Sequence, residues 1–170
     1  QINFGGREIK TAGDAVDVLV AMNPAALKVN LGDLKSGGLI VVDTGSFGAK
    51  NLAKAHYAAN PLEDGSLEDR RVLAIDMSGQ TEKAVEGLGL TKKESLRCKN
   101  MWALGLIYWM FGRDRKPTVD WLDAKFAARQ EIAKANAAAL NAGHAYAETA
   151  ELPADVQSSV VPAATLAPGT

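Results

Sequence analysis

Two short, almost uninterrupted apolar runs, Asp17-Val18-Leu19-Val20-Ala21-Met22 and Leu39-Ile40-Val41-Val42, constrain this chain more than any other feature. Runs of that length without alternation are the form of strands covered on both faces, as in a parallel sheet. Each stops at residues that start helices. Asn23 suits an N-cap and Pro24 the first helical position, which predicts a helix over residues 23–31 opening directly off the first strand. Lys35-Ser36-Gly37-Gly38 reads as a plain turn, after which the second run leads into Asp43-Thr44-Gly45-Ser46-Phe47-Gly48 and completes a crossover. Arg71-Val72-Leu73-Ala74-Ile75 reads as a third strand, and residues 78–87 behind it as helical. Alternating strand and helix imply an α/β fold: a three-layer, Rossmann-like domain with a mostly parallel sheet.

The C-terminal half reads as helical. Asn100 is placed to cap the apolar run from Met101 to Phe111, which needs burial on most sides, and Gly112 ends it. Val119, Leu122 and Phe126 recur at spacings of three and four, and Ile132, Ala135, Ala139, Leu140, Gly143 and Ala147 form the stripe of a last, small-residue helix. The cluster Met101, Trp102, Tyr108, Trp109, Met110 and Phe111 is core by default; its apolarity on nearly every side also suits a subunit contact.

Composition narrows the function classes. An apolar fraction of 47% with 23% charged residues belongs to a folded domain. A formal net charge of −1 argues against a nucleic-acid or anionic-membrane partner. The longest apolar run is well short of the roughly 18 residues a membrane span needs. One cysteine, Cys98, cannot form an internal disulfide or hold an iron–sulfur cluster by itself, and a reduced, cytoplasmic setting is the default. Gln1-Ile2-Asn3-Phe4 reads as the middle of a strand, so the chain reads as an excerpt, and the Pro-bearing residues 153–170 read as a linker.

Polar residues follow all three strands: Asn23 the first, Asp43 and Thr44 the second, Asp76 and Ser78 the third. They would gather at the carboxyl edge of the sheet, where open α/β folds bind ligands. Helix capping needs the same residue types and is the plainer reading. Gly45-Ser46-Phe47-Gly48 fits neither G-x-G-x-x-G nor G-x-x-x-x-G-K-[ST], so a simple bend accounts for it better than a phosphate loop. His56, His144 and Cys98 have no local metal-ligand spacing, the acids Glu63, Asp64, Glu68 and Asp69 lack the order of a calcium loop, and no serine sits in G-x-S-x-G.

Several segments together, residues 17–28 with the glycine-bearing turn and strand after them, Tyr57-Ala-Ala-Asn-Pro-Leu-Glu-Asp-Gly65, Lys99-Asn-Met-Trp-Ala-Leu-Gly105 and the closing Leu166-Ala-Pro-Gly-Thr170, resemble the alpha subunits of 2-oxoacid:ferredoxin oxidoreductases, most closely the 2-oxoglutarate type. The resemblance implies that residues 1–152 are a gamma-type α/β domain lacking its N-terminal part, with residues 153–170 leading toward a domain that binds the pyrimidine side of thiamine diphosphate. It implies oxidative decarboxylation of a 2-oxoacid with coenzyme A to acyl-CoA, CO₂ and reduced ferredoxin, or the reverse carboxylation of a reductive tricarboxylic acid cycle. It also implies a beta subunit carrying the diphosphate, its Mg and an iron–sulfur cluster, and a second alpha subunit. The thiamine and the cluster then carry the hard chemistry, leaving this domain no catalytic residue but assembly and the approach of coenzyme A. If the domain touches coenzyme A, its caps and loops nominate Asn23, Thr44 and Asn100. Two other readings stand beside this one: an independent nucleotide- or coenzyme A-binding module, and a structural dimerisation domain built on residues 100–111.

Overall fold

A computed structural model describes residues 15–150, 152–153 and 156–157. The strand read at residues 1–4 and most of the stretch read as a linker lie outside the described residues. Of that stretch, Val156 is described, and it is buried in the larger core cluster.

Among the described residues, three parallel strands, β1 (Val16–Ala21), β2 (Leu34–Asp43) and β3 (Arg71–Ile75), lie in the order β1-β2-β3. Helix α1 (Pro24–Asn30) follows β1 as the Asn-Pro pair predicts: Asn23 Oδ1 accepts from the Ala26 N–H at 2.9 Å, and Pro24 fills the first turn where no N–H is needed. Short 3₁₀ turns, Leu31–Asp33 and Thr44–Ser46, bracket β2, and α2 (Ala49–Lys54) leads into a long loop before β3. Among the described residues, five helices follow β3: α3 (Met77–Ala84), α4 (Lys92–Arg97), α5 (Lys99–Met110), α6 (Lys116–Lys125) and α7 (Gln130–Thr149).

One expected turn is part of a strand. Lys35–Gly38 falls inside β2, where the register with β1 jumps from Val16↔Leu34 to Val18↔Leu39. The extra residues form a bulge, and Gly37 takes a φ of +75° there, a conformation glycine adopts without strain. Beyond the bulge the register is regular, and it continues across β2 and β3 from Leu39↔Arg71 to Asp43↔Ile75.

Strand alternation divides the core. Leu39, Val41 and Ile75 face α3, α5 and α7, joining Met77, Trp102, Leu106, Met110, Ala135 and Ala139. Leu19, Ala21, Ile40 and Val42 face the other way, against Leu27 of α1, Phe47 and Leu67. Helices on one side and α1 with the long loop on the other make the expected three layers.

The apolar helix α5 is settled by α7. A Cβ on Gly105 would come within 1.9 Å of the Leu140 carbonyl oxygen, and one on Gly143 within 1.9 Å of the Trp102 carbonyl oxygen. The two backbones therefore touch at both glycines, and the small stripe of α7 exists to permit that approach. No residue from Met101 to Met110 is exposed, and the side of this helix that faces α7 finds its partner within the chain, while Met101, Leu104, Ile107, Tyr108 and Trp109 stay half-buried. Gly112, at φ +59°, ends it as expected.

Candidate functional site

At the carboxyl edge of the sheet, the last residue of β2 holds four elements together: β2, the 3₁₀ turn after it, α3 and α5. Asp43 is fully buried. Its Oδ2 accepts from Lys99 Nζ at 2.8 Å, Ser46 Oγ at 2.6 Å and Ser78 Oγ at 2.7 Å, while Oδ1 accepts from the Ser78 N–H at 3.0 Å. Local structure aims each donor. The 3₁₀ turn Thr44–Ser46 folds Ser46 back over the end of β2. Asp76 caps α3 by accepting from the Gly79 N–H at 2.9 Å, which sets the first turn of α3, and so Ser78, against Asp43. Gly45 allows the approach, because a Cβ there would lie 2.4 Å from Asp76 Oδ1 and 2.8 Å from Ser78 Cβ. That close packing, not a phosphate, explains the glycine.

Lys99 supplies the countercharge. Besides Asp43 its Nζ donates to Ser46 Oγ at 2.7 Å and to the Met22 carbonyl, at the end of β1, at 3.5 Å. Three partners occupy all three ammonium protons. Burial alone would push the Asp43 carboxyl up, but the hydrogen bonds from Lys99, Ser46 and Ser78 outweigh it and hold the group below the ordinary aspartate value. The pair is a satisfied, buried ionic knot; its chemistry is to fix geometry, and Asp43 is not a free base.

Above the knot opens a cleft of about 350 Å³. Ser46 and Lys99 line it on the sheet side, Met22 and Asn23 at the start of α1, and Asn51 and Lys54 on α2. Asn51 Nδ2 donates to the Ser46 carbonyl at 2.8 Å, tying α2 to the turn. Lys54 is exposed and makes no ion pair with a described residue, so the cleft presents one uncommitted cation beside amide and hydroxyl groups. Lys28 links the two walls: from α1 its Nζ donates to the Ala55 carbonyl at 3.0 Å and the His56 carbonyl at 2.8 Å, capping the end of α2, and it lies 5.0 Å from the centre of the Tyr57 ring. It thereby joins two of the segments on which the family resemblance rests.

The sequence candidates divide. Asn23 lines the cleft. Thr44 is half-buried at the start of its turn and does not line it. Asn100 is exposed within the first turn of α5; the cap position is held by Cys98, without a side-chain cap bond, and the residue between them, Lys99, is the one that faces the cleft. The reading of Asn100 as cap is therefore corrected. Lys99 went unread because its partner lies 56 positions away, the separation of Asp43 and Lys99. The usable signal was a lysine opening a helix that is otherwise apolar.

No group of three or more His, Cys, Asp or Glu side chains able to hold a metal converges among the described residues. Burial, and then the nearby Glu94 carboxylate, push the Cys98 thiol up, which makes it a poor thiolate ligand. One buried cysteine among the described residues does not supply the thiolates of an iron–sulfur cluster.

The family model of pyruvate ferredoxin/flavodoxin oxidoreductases matches residues 1–146. The chain belongs to that family. Among curated relatives, this chain is 48% identical over 169 residues to the 2-oxoglutarate oxidoreductase subunit KorA of Mycobacterium tuberculosis (strain ATCC 25618 / H37Rv), covering 99% of this chain and 26% of that subunit. It thus spans about a quarter of the relative's length. Among solved structures, the 2-oxoglutarate:ferredoxin oxidoreductase from Magnetococcus marinus, with 2-oxoglutarate, coenzyme A and succinyl-CoA bound, superposes with a TM-score of 0.57 at 24% identity over 84% of this chain and 21% of that one. The fold is shared with that enzyme.

Proposed function

We propose that this domain belongs to a subunit of a thiamine-dependent 2-oxoglutarate:ferredoxin oxidoreductase, which interconverts 2-oxoglutarate plus coenzyme A with succinyl-CoA, CO₂ and reduced ferredoxin. The observation that carries this is the 48% identity to KorA along essentially the whole chain. The family assignment agrees with it. The partners are a beta subunit holding thiamine diphosphate, Mg and the iron–sulfur cluster, and a second copy of the alpha subunit, in the cytoplasm. No helix among the described residues is long and apolar enough to cross a membrane.

Within that enzyme the domain frames the complex and guides coenzyme A. The cleft is too small for the whole coenzyme and suits one polar end of it. Lys54 supplies a cation for a phosphate and Asn23 a free amide N–H pair, while Lys99, committed to Asp43, keeps the floor in place. Of the residues nominated from the sequence, Asn23 lines this cleft, and Thr44 and Asn100 are not part of its lining.

Co-expression of the full-length subunit with its beta partner tests the reading. The complex should reduce ferredoxin in a manner dependent on both 2-oxoglutarate and coenzyme A. Failure to associate with a cluster-bearing subunit would overturn it, as would dinucleotide binding by the full-length chain at micromolar affinity.

A further inference from the structure

We infer that the cleft beside Lys54 recognises the 3′-phosphoribose of coenzyme A, and that Lys54 is the residue by which the domain tells the coenzyme from its dephospho form; this presupposes that the domain belongs to a coenzyme A-using enzyme. The hydrogen bonds already made around the cleft fix what each lining group still has to offer. Asn23 uses its Oδ1 to accept from the Ala26 N–H at 2.9 Å, so its free end is Nδ2, a donor. Asn51 is turned the other way: its Nδ2 donates to the Ser46 carbonyl at 2.8 Å, which leaves Oδ1, an acceptor. Backbone partners thus set both amide orientations. Ser46 Oγ donates its one proton to Asp43 at 2.6 Å and accepts from Lys99 at 2.7 Å, so only a lone pair remains. Lys99 has no proton to spare, whereas Lys54 makes no ion pair with a described residue.

The cleft therefore has two poles, donors at Lys54 and Asn23 and acceptors at Asn51 and Ser46. A guest that suits it carries an anion with a hydrogen-bond donor close by. The pantetheine arm of coenzyme A has amides and a hydroxyl but no charge, and would leave Lys54 without a counter-ion. The diphosphate offers only acceptors, and its oxygens would lie against those of Asn51 and Ser46. The ribose alone combines the two: its 3′-phosphate meets Lys54 and Asn23, and the free 2′-hydroxyl on the adjacent carbon donates to Asn51 Oδ1 or Ser46 Oγ. A cleft of about 350 Å³ admits a phosphorylated ribose and not the whole coenzyme. This end of the molecule also lies farthest from the thiol, which must reach chemistry carried elsewhere in the enzyme. The Asp43–Lys99 pair acts on the guest indirectly, by making Ser46 an acceptor.

Steady-state ferredoxin reduction by the full-length subunit, co-expressed with its beta partner, tests this with coenzyme A and dephospho-coenzyme A as alternative substrates. The unaltered enzyme should have a KM for coenzyme A about tenfold below that for the dephospho form, the scale of a charge-assisted hydrogen bond. Lys54→Gln should raise the KM for coenzyme A about three- to tenfold and that for dephospho-coenzyme A far less, so that the ratio of the two falls; Lys54→Arg should restore it. Asn23→Asp keeps the oxygen that caps α1 and replaces the donor by an anion, and should erode the preference as well. Adenosine 3′,5′-bisphosphate should compete with coenzyme A, and adenosine 5′-monophosphate much less. Equal KM values for the two substrates, a preference unchanged in Lys54→Gln, or adenosine 5′-diphosphate competing as well as the 3′,5′-bisphosphate would each overturn the inference while leaving dependence on coenzyme A intact. Ferredoxin reduction that needs no coenzyme A would instead overturn the reading of the domain as part of such an enzyme.

Discussion

The start and the middle of α5 are held by opposite means. At its start, Lys99 is fixed by charge and direction, through hydrogen bonds to Asp43, Ser46 and Met22. Further along, Gly105 and the facing Gly143 are fixed by shape alone, backbone against backbone. The ionic knot depends on each partner being present, since a buried charge left without its mate is costly. The glycine seam depends on something being absent, a single methyl group. The first specifies where the strand ends and helix starts meet; the second specifies how near two helices lie.

Changes on either side should break this contrast in different ways. Lys99→Met leaves the Asp43 carboxylate buried and uncompensated, and should cost about 3–5 kcal/mol in urea unfolding. Pairing it with Asp43→Asn should recover much of that loss, giving strong coupling in a double-mutant cycle. Gly143→Ala should destabilise by up to about 3 kcal/mol through overpacking against the Trp102 carbonyl, and no second substitution on α5 should rescue it, because the obstacle is backbone.

The knot should also respond to acid, and the seam should not. Asp43 has a folded value below its ordinary 3.8, so the unfolded chain takes up the proton first as pH falls. Its stabilising contribution is present above that ordinary value and is lost as pH drops toward the folded value. The stability difference between the unaltered protein and Asp43→Asn should therefore shrink below about pH 4, measured by urea titration at successive pH values. The Gly143→Ala difference should stay flat over the same range. The smallest effect is expected away from both regions: Thr91→Ala removes the capping box with Glu94 at the start of α4 and should cost about 1 kcal/mol by thermal unfolding.

What was legible in the sequence follows from range of interaction. Asn23-Pro24, the run Arg71–Ile75 and Gly112 are local signals, and the structure places a helix start, a strand and a helix end there. The polar strand ends also pointed to one edge, where Asp43 and Ser78 do meet. The partner of Asp43 was not legible, because a lysine 56 residues on becomes a neighbour only after α5 packs on the sheet. Asparagine caps well, which makes Asn100 the natural cap to read; helix α5 instead starts two residues earlier and continues almost directly from α4, with Cys98 ending one and preceding the other. The bulge at Lys35–Gly38 was read as a turn since a glycine pair suits either, and only pairing with β1 distinguishes them.

The grip of Lys28 on the carbonyls of Ala55 and His56 has a thermodynamic consequence for anything that enters beside it. Because α1 and α2 are already clamped, Asn23 and Lys54 face each other across a gap whose width is set before a guest arrives. Association then forfeits little motion of the host, and selectivity rests on whether the guest's charge and bulk suit a rigid slot rather than on its power to draw the walls inward.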